Sequence, residues 1–98
     1  YGKALAYAYY READRVSAGG DWLRGAAVTD EGLRELPGQR DLAQQRSVYR
    51  QNYAVEVHNR AAAAWNAGKK GEAQAILADG LAQVPESALL RNDLAKFR

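Results

Sequence analysis

Few residues of this chain have side chains suited to catalysis or metal binding. The chain has one histidine, His58, and no cysteine, which excludes disulfides, thiolate metal sites and cysteine nucleophiles. A catalytic histidine needs a nucleophile or a carboxylate beside it, and Glu56 lies two residues away on a different helical face. The serines lie in no nucleophile elbow. Because no nucleophile, base and oxyanion donor come together, the sequence predicts a protein that is not an enzyme, with no metal site and no cofactor.

Composition narrows the classes of partner. The chain has 98 residues, of which 47% are hydrophobic and 27% charged, so one domain with a modest core is expected. Its 14 basic and 12 acidic side chains give a net charge of +2 without a basic run, so we expect no nucleic-acid partner. No apolar run approaches the ~18 residues of a membrane span. The chain begins at Tyr1 and contains no methionine; we therefore expect a fragment of a longer protein, and its compartment stays open.

Glycine and proline divide the chain into five predicted helices, so the predicted fold class is all-α. The predicted ranges are Tyr1–Ala18, Trp22 to about Leu36, Asp41–Ala67, Glu72–Val84 and a short helix after Ser87. Asp21 is the expected N-cap of the second helix, whose core face is predicted to carry Leu23, Ala27, Val28, Leu33 and Leu36. The third helix is the longest, roughly 40 Å at ~1.5 Å per residue. We expect its polar N-terminal half to project or to pack against the first helix pair.

The sequence also contains an internal repeat. Gly20–Pro37 matches Gly68–Pro85 when the two segments are offset by 48 residues, and both contain the phrase Gly-Leu-x-x-[Leu/Val]-Pro. Internal repetition on this scale indicates an array of helical repeats. A helix pair of this kind does not bury its apolar face alone, so each pair needs a packed neighbour.

The segment Ala54–Ser87 resembles a tetratricopeptide repeat, a pair of helices with a period of ~34 residues. The residues that carry the resemblance are Asn59, Ala61, Gly68, Glu72, Ala73, Leu77, Gly80, Leu81 and Pro85. Residues 6–39 resemble the family more loosely, through Ala13, Gly20, Leu33 and Pro37. The chain departs from the family pattern at Val57, Arg60, Ala64 and Gly80, and its offset exceeds the family period by ~14 residues.

The resemblance implies a tetratricopeptide-like α-solenoid of two antiparallel helix pairs. It would form a single domain over residues 1–98, with repeats at about 6–39 and 54–87. A helix extension over 41–53 would separate the two repeats, and a capping helix would cover 88–98.

In this family the first helix of each repeat lines a groove that binds a peptide or a partner's helix. The resemblance places Tyr7, Tyr10, Arg11, Asp14 and Ser17 in the groove of the first repeat. In the second it places Val55, His58, Asn59, Ala62, Trp65 and Asn66. Asparagines can hydrogen-bond a peptide backbone, and tyrosine and tryptophan provide rigid contact area. The alternative is that Trp65 packs on a neighbouring helix pair and that the asparagines make bonds within their own helix.

The function that these expectations favour is a non-catalytic protein-interaction or scaffolding module, whose partner is a protein or peptide of unknown identity. Two alternatives stay open. One is a structural spacer or a self-association domain, in which Asp41–Asn52 of the long third helix pairs with another copy. The other is an accessory domain of an enzyme whose catalytic part lies outside the fragment.

Overall fold

The structure, a computed structural model, describes residues 2–98 and is all-helical. Its helices are α1 (Gly2–Ser17), α2 (Trp22–Glu35), α3 (Arg40–Asn66), α4 (Lys70–Gln83) and α5 (Ala88–Lys96). Residues 2–98 contain no strand, which confirms the predicted fold class. The predicted start of the first helix at Tyr1 lies outside the described residues. Within the part of the chain described, no helix combines the length and the hydrophobicity of a membrane span.

Glycines end the first helix of each helix pair, as the sequence predicts. Gly20 has φ 91° and Gly68 has φ 82°, the left-handed conformation that glycine adopts without a steric penalty. The predicted cap of α2 is corrected in one respect. Asp21 occupies the N-cap position, but its side chain makes no capping hydrogen bond; only its backbone oxygen accepts a bond, from the N–H of Gly25 at 3.1 Å. Helix α5 does have a side-chain cap, because Ser87 Oγ accepts from the N–H of Leu90 at 3.2 Å.

The chain forms two compact units, Tyr1–Arg50 and Gln51–Arg98, and the boundary falls inside α3. The first unit contains α1, α2 and the first part of α3. Leu42 and Tyr49 on α3 are buried, and Arg46 forms an ion pair with Asp30 on α2. The polar first part of α3 therefore packs against the first helix pair, one of the two arrangements that the sequence predicts.

The buried face of α2 differs from the predicted one. Its buried residues are Gly25, Ala26, Thr29 and Gly32, whereas Ala27 is exposed and Leu23, Val28, Leu33 and Leu36 are half-buried. The reason is the close approach of the neighbouring helices. A Cβ atom on Gly32 would lie 2.8 Å from both Leu42 Cδ1 and Tyr9 Cγ, so the smallest residues occupy the contact and the larger apolar ones flank it.

The second unit contains the second part of α3, with α4 and α5. Its buried apolar residues are Ala54, Val57, Ala61, Ala64, Ala73, Leu77, Val84 and Leu90. The short helix α5 packs through Leu90, whose side chain is fully buried.

The two units repeat the same three-helix plan at an offset of 48 residues. In the first unit the contact around Gly32 is made by Tyr9 and Leu42; in the second the contact around Gly80 is made by Val57 and Leu90. Each residue of the second contact stands 48 positions after its counterpart. The first part of α3 is therefore the counterpart of α5, and the second part of α3 is the counterpart of α1.

Candidate functional site

The predicted groove residues of the first unit lie on α1 and are accessible, with one exception. Tyr7 is 62% exposed and Tyr10 is 43% exposed, and Arg11 and Asp14 are exposed beside them. The guanidinium carbon of Arg11 lies 5.7 Å from the centre of the Tyr7 ring, within the range of a cation–π contact. Ser17 is the exception, because it is buried and its hydroxyl donates to the backbone oxygen of Asp14 at 3.2 Å.

Three open cavities adjoin Tyr10; one lies along α1 and is lined by Arg11, Glu12, Asp14 and Arg15 among others, and residues of both α1 and the start of α3 line the other two. The first of these two, of about 410 Å³, is lined by Lys3, Ala6, Tyr7, Tyr10, Gln39 and Asp41. The second, of about 600 Å³, is lined by Tyr10, Asp14, Asp41, Gln44, Gln45, Val48 and Tyr49. The accessible face of α1 thus continues into a groove whose other wall is the first part of α3.

Gln45 is a buried polar residue on the wall of the second cavity. Its side-chain Nε2 donates to the backbone oxygen of Tyr10 at 3.0 Å and to the hydroxyl of Tyr49 at 2.9 Å. The Oε1 atom of the same amide is buried and has no hydrogen-bond partner among the described residues. The orientation of the amide is fixed, because a backbone carbonyl only accepts and must therefore face the nitrogen.

The two charged residues that line this cavity, Asp14 and Asp41, are both acidic. Asp14 and Asp41 are both exposed, and neither makes an ion pair within residues 2–98. The nearby Arg15 is paired with Glu12, with Nε to Oε2 at 3.0 Å. This hydrogen bond lowers the pKa of the exposed Glu12 carboxyl and raises that of Arg15. The ion-pair partner of Arg15 is thus Glu12 and not Asp14.

The predicted groove residues of the second unit lie on the second part of α3. Val55 is 47% exposed, Asn59 and Asn66 are exposed, and Ala62 is half-buried. Val55 is the counterpart of Tyr7, since the two positions differ by 48. Both units therefore leave a large apolar side chain exposed at the same position of the three-helix plan.

Trp65 is half-buried and packs within its own unit. Its ring stacks on that of Phe97 with centroids 5.0 Å apart and an interplanar angle of 14°. The Nζ atom of Lys70 lies 5.0 Å from the centre of the Trp65 ring. These contacts account for the position of the tryptophan, and its role in binding a partner stays a prediction.

His58 has a carboxylate partner that the sequence did not indicate. Its Nδ1 atom lies 2.5 Å from Oδ2 of Asp93 on α5; the Asp93 side chain is only 5% exposed, while that of His58 is 36% exposed. The pair joins α5 to α3. Among the described residues no group of three or more histidine, aspartate and glutamate side chains could hold a metal ion.

Sequence reasoning missed Asp41, Gln45, Val48 and Asp93. A signal for two of them exists in the repeat. Extending the 48-residue offset beyond Pro37 and Pro85 aligns Leu42 with Leu90, Gln45 with Asp93 and Tyr49 with Phe97. In this alignment Gln45 and Asp93 are a polar pair that stands between two apolar pairs, Leu42 with Leu90 and Tyr49 with Phe97.

Comparison of the chain with protein-family models, with curated proteins and with solved structures found no match.

Proposed function

We propose that this chain is a tetratricopeptide-like α-solenoid module that binds a partner protein or peptide without catalysing a reaction. The binding surfaces would be the accessible face of α1 in the first unit and the equivalent face of α3 in the second. The observation that carries the proposal is the pair Tyr7 and Val55, which are 62% and 47% exposed at equivalent positions. A single exposed apolar residue is ordinary on a protein surface. Because a large apolar side chain is exposed at the same position in both repeats, the exposure is a feature of this helix face and not of one residue alone.

The arrangement around these residues also supports the proposal. Tyr10 adds a second accessible aromatic ring one turn after Tyr7, and Val48, 43% exposed, faces solvent from the first part of α3. Aromatic side chains contribute much of the energy of protein interfaces and lose little entropy when they bind. A groove lined by aromatic rings together with polar and acidic side chains suits a helix or an extended peptide.

The 48-residue offset is longer than the family period, and the division of α3 between the two units accounts for the difference. The excess of ~14 residues over the family period corresponds to the first part of α3, which packs on α1 and α2 as α5 packs on α3 and α4. Each helix pair thus has an additional helix at its side. Such a helix supplies the covering neighbour that a repeat pair needs.

The test is selection of binding peptides from a random library, followed by fluorescence polarisation of the selected peptides. We expect the Tyr7→Ser/Val55→Ser variant to bind at least about tenfold more weakly, because each change removes an apolar contact of ~1–2 kcal/mol. The matched control is Ala27→Ser/Ala75→Ser, which alters two equivalent exposed positions of the second helices α2 and α4. Equal losses in both variants, or failure to select any peptide, would contradict the proposal.

A further inference from the structure

We propose that the cavity lined by Asp14, Asp41 and Gln45 binds an arginine side chain of the partner, an inference that rests on the proposed function and specifies its partner chemistry. Each of the three residues has an oxygen atom without a partner among residues 2–98. Asp14 and Asp41 are exposed and make no ion pair there, and Gln45 Oε1, which is buried, accepts no hydrogen bond.

The charge of the cavity is the first argument. Asp14 and Asp41 are the charged residues of its lining; Arg11 and Arg15 lie with Asp14 on the adjoining face of α1, where Arg15 pairs with Glu12 and Arg11 lies over the Tyr7 ring. Lys3 lines the neighbouring cavity together with Asp41 but makes no ion pair with it. Two carboxylates at one concave surface concentrate a negative potential there and attract a cationic ligand.

Gln45 supplies an independent argument for a ligand that donates hydrogen bonds. The residue is 7% exposed, and its Nε2 is committed to Tyr10 and Tyr49, so the amide cannot turn to satisfy Oε1 without breaking both bonds. Buried polar atoms are nearly always hydrogen-bonded in proteins. Less than 1 Å² of Oε1 is accessible, so a donor in the cavity would complete the set of bonds once the side chains that cover this atom move aside.

Arginine matches these acceptors better than lysine does. A guanidinium carries five N–H donors in a plane and no acceptor, so one group can bond carboxylate and amide oxygens together. Its flat face can also lie on the exposed ring of Tyr10. The chain itself contains this type of contact, since the guanidinium of Arg11 lies 5.7 Å from the Tyr7 ring centre.

The second unit shows that the fold does not require these features. The counterparts of Asp14 and Asp41 are Ala62 and Leu89, which carry no charge. The counterpart of Gln45 is Asp93, whose Oδ2 is bonded to His58. The same three-helix plan is thus built without the acidic pair, and there an oxygen atom of the buried polar residue has a partner within the unit.

The experiment is a titration of the ¹⁵N-labelled chain with the capped peptide Ala-Ala-Arg-Ala-Ala, followed by NMR. Two further peptides are titrated in parallel. One has lysine in place of the arginine, and the other has citrulline, a neutral isostere of arginine. We expect the arginine peptide to shift the Gln45 side-chain amide and the Tyr10 backbone amide. The lysine peptide should bind more weakly, and the citrulline peptide should bind at least about tenfold more weakly, the size expected for loss of a charged hydrogen bond.

Two variants with the same change of charge locate the site. Asp14→Asn/Asp41→Asn should weaken binding of the arginine peptide by at least about tenfold, and Glu31→Gln/Glu35→Gln, two exposed carboxylates of α2, should leave it within about twofold. Equal behaviour of the two variants, equal binding of the citrulline peptide, or shifts that cluster elsewhere would overturn the inference. If the library yields peptides that need Tyr7 and Val55 but contain no arginine, the proposed function stands and only this inference falls.

Discussion

Gly80 and Val57 lie so close together that a Cβ atom on Gly80 would stand 2.6 Å from Cγ1 of Val57. This contact is where α4 crosses α3, and Leu90 of α5 approaches the same point, 3.1 Å from that Cβ position. Its counterpart in the first unit is the contact of Gly32 with Tyr9 and Leu42. In both units a glycine therefore sets the distance at which three helices meet.

The first prediction follows from this contact. Gly80→Ala should lower the free energy of unfolding by ~1–2 kcal/mol, because the overpacking cost of ~1–3 kcal/mol exceeds the gain of up to ~1 kcal/mol in helix propensity. Urea denaturation followed by circular dichroism measures the change. Gly71→Ala is the matched control in the same helix. Its added Cβ has no neighbour within 4 Å, so the propensity gain should appear alone. A Gly80→Ala protein as stable as the Gly71→Ala protein would show that α3 and α5 can move aside.

The positions of the helices could be predicted from the sequence, because glycine and proline act locally on the backbone. The buried face of α2 could not. Leu33 and Leu36 are the larger apolar residues, yet Gly25, Ala26, Thr29 and Gly32 are the buried ones. Hydrophobic periodicity ranks residues by transfer free energy, whereas here the distance between helices determines which side chains fit.

The candidate site was predictable only in part, for a different reason. The accessible residues of α1 followed from the family resemblance, which concerns a single repeat. The other wall of the groove comes from the first part of α3, and Gln45 lies 35 positions from its partner Tyr10. His58 and Asp93 are also 35 positions apart. Pairings at this separation depend on how a third helix packs on a pair, which no local pattern specifies.

A second prediction concerns the two asparagines of the second unit. Asn59 and Asn66 are exposed on α3, and alanine has the higher helix propensity. Asn59→Ala/Asn66→Ala should therefore leave the thermal midpoint nearly unchanged or slightly raised, while binding of a selected peptide weakens by several-fold. Differential scanning calorimetry and fluorescence polarisation give the two quantities. A marked drop of the midpoint would assign both residues to the stability of the helix.

The third prediction is that the isolated chain sediments as a monomer. Self-association through Asp41–Asn52 would need an apolar face on that segment, but Leu42 and Tyr49 are buried inside the first unit. The large apolar side chain left exposed there is Val48, which is too small an area for a stable dimer. Sedimentation velocity from about 5 to 500 μM tests this, a range set by micromolar affinities. A dimer that Val48→Ser dissociates would support the self-association alternative.

The fourth prediction concerns His58 and Asp93. The His58→Ala change leaves a buried carboxylate without its hydrogen-bond donor, which should cost ~1–3 kcal/mol of unfolding free energy. The first unit offers a replacement for this bond, since Gln45 at the equivalent position donates to the backbone oxygen of Tyr10. His58→Tyr/Asp93→Gln transfers both residues into the second unit and removes the buried charge. We expect it to recover most of the stability that His58→Ala loses.

Tryptophan fluorescence can follow the unfolding of the second unit separately, because Trp65 lies in the second unit and Trp22 in the first. A Trp22→Phe background keeps an aromatic ring beside Tyr49 and leaves Trp65 as the reporter in urea titrations. Adding Phe97→Tyr supplies the hydroxyl that Gln45 uses in the first unit, and should stabilise the transferred pair further by ~0.5–1.5 kcal/mol. If His58→Tyr/Asp93→Gln is no more stable than His58→Ala, the two units are not interchangeable at this contact. The 48-residue equivalence would then describe the helix backbones without extending to the polar contacts between them.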